Sequence, residues 1–295
     1  MARLRAVILR SEPSGERWLL PPVLPADPFG CDAAAGGLDL PPELLALLWR
    51  RGYRRVEAIR ELLDPPDAPE PRDHFPDLIA AETRLMQACL QGEALAICGD
   101  YDADGMTSTA LLVGVLERLG ARPQAAIPSR MDEGYGLNVS MVERLAAAGV
   151  DLLITVDNGV SAREALERAR ELQLQVILTD HHSLPAQLPP YQALLHPATT
   201  PAGSPYRGLA GVGLAYVLAH GLCRRMGRPD ALAVALDLFC IGTIADMAPL
   251  VGVNRRWLMD GLPRLGRSDL PGLQALQQLA GVETLPLDAQ AVGFQ

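Results

Sequence analysis

The stretch ALAICGDYDADGMTSTALL, residues 94–112, decides how the rest of the chain is read. Ala94–Cys98 carry no charge and stop at Gly99. A run that short, uncharged and bounded by glycine has the length of a buried strand rather than a helix. Asp100, Asp102 and Asp104 then follow on alternate positions, and past Gly105 a helical pattern extends over about 106–119. The unit is therefore strand, acidic turn, helix. Carboxylates crowded this closely raise one another's pKa unless positive charge sits among them, and the rest of the sequence has to supply that charge.

The same alternation continues on the C-terminal side. QAAIP (124–128), DLLITV (151–156), QVILT (175–179) and QALLH (192–196) read as strands, with helical patterns over 139–148 and 161–172 between them. Strands alternating with helices of this length predict an α/β fold, a mostly parallel sheet flanked by helices. Two apolar helices follow, about 210–226 and 230–244, and helical patterning weakens from 262 to 295. On the N-terminal side, residues 1–40 are rich in Pro, Gly and Ala and read as an irregular arm. Helical stretches over 42–63 and 77–91 make a short helical segment, separated by the proline-rich DPPDAPEPRDHFP. The expected division is an arm with helices over 1–91, a catalytic α/β domain over 92–261, and over 262–295 the start of a connection to a second domain.

Composition narrows the class. Of 295 residues 49% are hydrophobic, enough for a sizeable core, but only 4% are aromatic, so aliphatic side chains fill it. No apolar run reaches the roughly 18–20 uncharged residues of a membrane span, and the N-terminus does not read as a signal peptide. The five cysteines form no CxxC pair, which points to free thiols in a cytoplasmic protein. The formal net charge of −9 argues against nucleic acid as a partner. Two features weaken that argument: cations bound at the acidic clusters would neutralise part of the charge, and all 26 basic residues are arginine, the better bidentate phosphate ligand.

The chemistry gathers at the strand ends. ALAIC runs into Asp100, Asp102 and Asp104, DLLITV into Asp157, and QVILT into Asp180, His181 and His182. In open parallel sheets ligands bind beyond the carboxyl ends of the strands, so three separate stretches deliver acids and imidazoles to one edge. Carboxylates with neutral imidazole suit a pair of Mn²⁺ or Mg²⁺ ions better than a structural zinc, which favours thiolates. In an extended segment positions 100 and 102 project to the same side, so each can serve one of two ions. Asp104, just before GMTSTALL, reads first as the N-cap of the helix that follows, and it stands with Asp180 and His182 among the catalytic candidates. Asp180 can also orient a histidine ring from behind, and Cys98 closes an apolar strand as a core residue. Asp246, alone in the apolar stretch IGTIADMAPL (241–250), needs a partner or a metal. For substrate, IPSRMDEGYGLN (127–138) offers Arg130 and Tyr135 to phosphate and to base or sugar. Gly211 and Gly213 open a helix whose N–H groups can face a phosphate, although close packing explains them equally well.

These motifs, in this order and together with LLWRRGYRRVEAIRELLDP upstream, resemble the DHH phosphoesterase superfamily over roughly residues 40–260, and closely its branch of single-strand-specific exonucleases. The resemblance implies two ions, with Asp100 and Asp157 at one and Asp102, Asp157, His181 and Asp246 around the other. Asp157 bridges them and His182 faces the scissile phosphate. It further implies 5′→3′ hydrolysis of single-stranded DNA in repair and recombination, with single-strand-binding protein and a helicase as partners. Where some members carry a histidine two positions before the first aspartate, this chain has Cys98. Two other readings stay open: hydrolysis of oligonucleotides or cyclic dinucleotides, and a non-catalytic scaffold of the same fold.

Overall fold

The structure is a computed structural model that describes residues 7–10, 17–20, 24, 29, 38–131, 133–282 and 287–294. It divides into two compact units, Met1–Asp64 and Pro65–Gln295. In the first unit, β1 (Val7–Arg10) pairs antiparallel with β2 (Arg17–Leu20), so part of the expected irregular arm is a strand pair. The remainder of that arm, Cys31 included, lies largely outside the described residues. The single helical stretch expected over 42–63 is two helices, α1 (Pro42–Arg50) and α2 (Val56–Leu63). Gly52, at φ 100°, turns the chain between them, a conformation that costs glycine little. Val56, Ile59 and Phe29 form a small core closed by Leu45, Leu48 and Trp49.

The second unit begins at Pro65, and its first α-helix is α3 (Leu78–Gln91), expected from the sequence in the N-terminal helical segment. The physical reason is burial: Leu78, Ala81, Leu85 and Ala88 of α3 belong to the same core as the sheet. The elements then alternate, as the sequence predicts: β3 (Ala94–Cys98), α4 (Ala103–Arg118), β4 (Arg122–Ala126), α5 (Val139–Ala147), β5 (Leu152–Val156), α6 (Arg163–Glu171), β6 (Gln175–Thr179) and β7 (Ala193–Leu195). The five strands form one all-parallel sheet in the order β4-β3-β5-β6-β7. After it come α7 (Gly211–Arg225), α8 (Ala235–Ala245), α9 (Gly252–Leu265), α10 (Pro271–Ala280) and α11 (Ala289–Phe294).

Strand periodicity sorts the core into two layers. Leu95, Ile97, Leu152, Ile154 and Ile177 face α3, α4, α7 and α8. Ala96, Cys98, Leu153, Val176 and Leu178 face α5 and α6. Because both faces are covered, the strands are nearly continuous apolar runs with few charges, as buried parallel strands must be. The chain leaves β3 towards β4 and later returns on its other side as β5, which opens a crevice beyond the carboxyl ends of β3 and β5. Asp157 follows β5 directly, and Asp100 follows β3 after Gly99.

Candidate metal centre

The turn after β3 is built around unscreened charge. Asp100 is fully buried, and neither carboxylate oxygen has a hydrogen-bond partner. Glycine at 105 is obligatory for this arrangement, since a Cβ there would lie 1.7 Å from Asp100 Oδ1. The segment is not extended: α4 begins at Ala103, and Asp102 is its N-cap, Oδ1 accepting from the N–H groups of Asp104 (2.9 Å) and Gly105 (3.0 Å). This corrects the expectation that Asp104 caps its own helix. Asp104 lies inside the first turn, where the helical rotation swings its side chain away from Asp102. Its carboxylate caps a different helix, accepting from the N–H groups of Gly211 (2.6 Å) and Val212 (2.7 Å) at the start of α7.

The turn after β5 is strained. Asp157 has φ 61°, a left-handed conformation that costs a side-chain-bearing residue about 1–2 kcal/mol. Neighbouring strands and loops hold it: its N–H donates to Thr179 O (3.0 Å), and its carbonyl accepts from the Tyr135 hydroxyl (3.1 Å). Asn158 ties the turn to the surrounding loops, donating from its amide to the carbonyls of Cys98 (3.0 Å) and Val156 (2.9 Å) while accepting from Leu137 N–H (3.1 Å). Asp157 Oδ1 lies 2.8 Å from His181 Nε2, yet the two do not meet in hydrogen-bonding geometry.

After β6, Asp180 works as an orienting group. It accepts from the backbone N–H groups of Val160 (3.0 Å) and His182 (3.0 Å) and from the His182 ring at Nδ1 (2.8 Å). Burial opposes its charge, but these donors prevail and hold its pKa below the usual carboxylate value. Asp180 in turn raises the His182 ring, whose Nε2 faces the Tyr135 hydroxyl at 3.4 Å. His196, at the end of β7, accepts Ala198 N–H at Nδ1 (3.0 Å) and therefore donates from Nε2 to the His182 carbonyl (2.7 Å).

The ligand atoms converge in three overlapping sets, each within 4.8 Å: Asp100–Asp102–Asp157, Asp157–His181–His182, and Asp104–His181–Asp246. Asp157 and His181 are shared. Relative to the ligand sets that the resemblance implies, Asp104 takes the place of Asp102 beside His181 and Asp246, because the helix turns Asp104 to that side. Asp246 caps the C-terminus of α8, where the helix dipole disfavours an anion. Burial, aided by the neighbouring acids, pushes Asp100 up to about 6 and Asp104 up to about 8, and it raises Asp157 and Asp246 as well. Burial works against charge on His181, but Asp157 carries the ring up to about 9. Buried acids whose pKa values rise for want of counter-charge, with both Asp100 oxygens unpartnered and His181 Nε2 beside Asp157 Oδ1 at 2.8 Å outside hydrogen-bonding geometry, fit divalent cations that take oxygen and imidazole ligands.

Among the other candidates, Tyr135 reaches the centre through its hydroxyl, while Arg130 is exposed, its guanidinium 5.3 Å from the Tyr101 ring. Gly211 and Gly213 are a correction. Both are buried, and the Gly211 N–H already donates to Asp104, so neither faces a substrate phosphate. They are glycines for close packing: a Cβ at Gly211 would lie 2.6 Å from the Asp157 Cβ, and one at Gly213 would lie 2.8 Å from the Leu209 side chain. Cys98 is core: it sits in the layer under α5 and α6, and burial pushes its thiol up to about 12. Asn158 and His196 received no role from the sequence. His196 ends an apolar strand as Asp100 and Asp157 follow theirs, and that signal could have found it.

Residues 94–243 match the model of the DHH family, N-terminal domain. The chain is 40% identical over 260 residues to the single-stranded-DNA-specific exonuclease RecJ of Bacillus subtilis, covering 88% of this chain and 32% of that protein. It is 36% identical over 271 residues to the protein of the same name from Escherichia coli, covering 87% of this chain and 47% of the other. Among solved structures, RecJ from Thermus thermophilus in complex with Mn²⁺ superposes with a TM-score of 0.74 at 35% identity, covering 92% of this chain and 38% of that one. The chain thus spans between about a third and a half of the length of these relatives.

Proposed function

Since the chain belongs to the DHH family, we propose that it is the metal-binding catalytic portion of an exonuclease that hydrolyses single-stranded DNA. The observation that carries this reading is Asp100, a fully buried carboxylate with two unpartnered oxygens whose ligand atoms gather with those of Asp102 and Asp157. Asp100, Asp102 and Asp157 would hold one Mn²⁺ or Mg²⁺ ion, and Asp104, Asp157, His181 and Asp246 a second. Such ions, when bound, lower the pKa of water from 15.7 towards about 7 and act as Lewis acids on a phosphoryl oxygen.

The chain's own residues do the rest. Asp157, fixed in its strained turn, keeps its carboxylate between the two sets. Asp180 fixes the His182 ring and favours its protonated form, so that Nε2 can hold a proton against a phosphate oxygen or a departing hydroxyl. Tyr135 braces the Asp157 carbonyl from the other side, and Arg130 supplies positive charge at the rim. The family resemblance supports the 5′→3′ direction, the role in repair and recombination, and partnership with single-strand-binding protein and a helicase, and the unpaired cysteines support a cytoplasmic location. Among the described residues no helix is long and apolar enough to cross a membrane.

Titration calorimetry with Mn²⁺, paired with degradation of end-labelled oligonucleotides, tests the reading. Asp157→Ala, which removes a donor common to both sets, should weaken Mn²⁺ binding by more than the roughly 100-fold that loss of an outer supporting residue can cause, and it should abolish metal-dependent release of nucleotides. Unchanged affinity in that variant would refute the assignment.

A further inference from the structure

Helix α8 ends in an unusual way. Met247 N–H donates to Ile244 O (3.0 Å) and Ala248 N–H to Thr243 O (3.2 Å), the pair of bonds that closes a helix on a left-handed residue. Met247 is that residue, at φ 55°. Six other helices of the described chain close on the same pair of bonds, and all six use glycine there: Gly52, Gly92, Gly120, Gly149, Gly227 and Gly281. Beside Met247, the one other helix closed this way on a side chain is α6, with the polar Gln173 at φ 61°. The Met247 side chain is 88% exposed, so packing on its own chain does not compensate for the backbone conformation. Neither the fold nor the solvent explains an apolar side chain at this point.

Its position supplies a reason. Met247 directly follows Asp246, whose carboxylate gathers with Asp104 and His181. The other helix of this corner, α4, carries a second exposed methionine, Met106, 53% accessible in its first turn. The two helices pack closely, since a Cβ on Gly242 would lie 2.3 Å from Thr107 Oγ1. Met247 thus sets one flexible, polarisable thioether next to a ligand of an otherwise acidic metal centre. A phosphodiester held at the acids brings its flanking nucleobases to this side chain. A base is flat, uncharged and able to pack its face on sulfur or apolar groups, whereas an acidic peptide would be repelled by the aspartates.

We propose that Met247 is the platform on which a nucleobase next to the scissile phosphate packs. The assignment rests on the single-stranded-DNA reading above. It makes Met247 a substrate-positioning residue that sets affinity for bases without holding metal.

The test compares Met247→Gly and Met247→Leu with the unaltered chain, using oligodeoxythymidylate and an oligonucleotide of equal length with abasic sites at its 5′ end, both with saturating Mn²⁺. Met247→Gly should melt at a higher temperature, because glycine takes the left-handed turn without strain. It should also raise KM for oligodeoxythymidylate roughly tenfold, within the range for losing one stacked base, with Mn²⁺ affinity unaltered. Met247→Leu should retain most of the affinity. On the abasic oligonucleotide the two variants and the unaltered chain should converge. The proposal is overturned if Met247→Gly keeps the original KM on oligodeoxythymidylate, if the loss is equal on the abasic strand, or if its melting temperature falls, which would mean the side chain packs on its own chain. If the unaltered chain neither binds nor degrades either oligonucleotide, the nuclease reading fails and takes the platform with it.

Discussion

Asp102 and Asp104 lie two positions apart and differ in what each holds in place. Asp102 caps its own helix with one oxygen, which asparagine would keep. Asp102→Asn should therefore leave the melting temperature of the metal-free protein equal or higher, through relief of like-charge crowding, while weakening Mn²⁺ binding. Asp104 carries the first two N–H groups of a helix more than a hundred residues away. Asp104→Ala strands those buried donors and should destabilise the metal-free protein by about 2 kcal/mol or more. Thermal melts of the two variants decide this; equal losses would mean that Asp104 has no such load. The sequence did not reveal this role, because a local capping rule sees only the next few residues and the partner of Asp104 is set by tertiary packing.

At the scale of elements, glycines govern how closely helices and turns approach the metal-binding set. Gly211 lets α7 come against Asp157, and Gly105 lets α4 come against Asp100. Gly211→Ala removes no donor, yet its Cβ would press on the Asp157 Cβ at 2.6 Å and on Asp104 Oδ2 at 3.0 Å. We expect it to weaken Mn²⁺ binding by at least roughly tenfold, as when a supporting residue of a metal site is lost, with a far-ultraviolet circular dichroism spectrum that does not change. Calorimetry showing unaltered affinity would count against packing as what positions the aspartate. The strands and their polar ends were legible because a buried parallel strand must be an apolar run and its end must turn. Hidden from a periodicity reading were the β1–β2 pair inside a stretch rich in Pro, Gly and Ala, and the interruption of 42–63 at Gly52, where one glycine outweighs the helical pattern on either side.

Across the whole molecule, the metal-free protein stores repulsion that depends on pH. Asp104, near 8, and His181, near 9, hold protons in the folded state that they release in the unfolded chain at lower pH. The folded state then binds more protons, so stability falls as pH rises through that range. His196 and His220, kept neutral by burial, act in the opposite sense only near and below pH 6.5. The buried thiols, kept protonated by the fold but ionising at about 8.5 in the unfolded chain, add a slope of the same sign above about pH 7.5, so the metal centre is read between about pH 7 and 7.5. There the metal-free protein should lose about 2 kcal/mol per pH unit, and saturating Mn²⁺ should remove most of that slope and release protons on binding. Denaturation followed at several pH values with and without Mn²⁺ checks both; a metal-free slope of zero would mean that Asp104 and His181 do not hold these protons. That a charged site exists could be read from Asp100, Asp157 and His181 alone, but which protons it holds depends on burial, which only the fold provides.

The buried thiols offer a different use. Cys89, Cys98, Cys223 and Cys240 are all buried, and burial pushes Cys98 and Cys240 up to about 12 and the other two up to about 11. The thiolate is the nucleophile that attacks an alkylating reagent and displaces its leaving group, so each of these sulfurs reacts only when its surroundings open. Cys98 sits on the strand that ends at the metal centre, and its own carbonyl receives the Asn158 amide. Its labelling rate is thus a clock for breathing of the crevice beyond β3 and β5, against which Cys89 and Cys223, on α3 and α7, keep time for the helices.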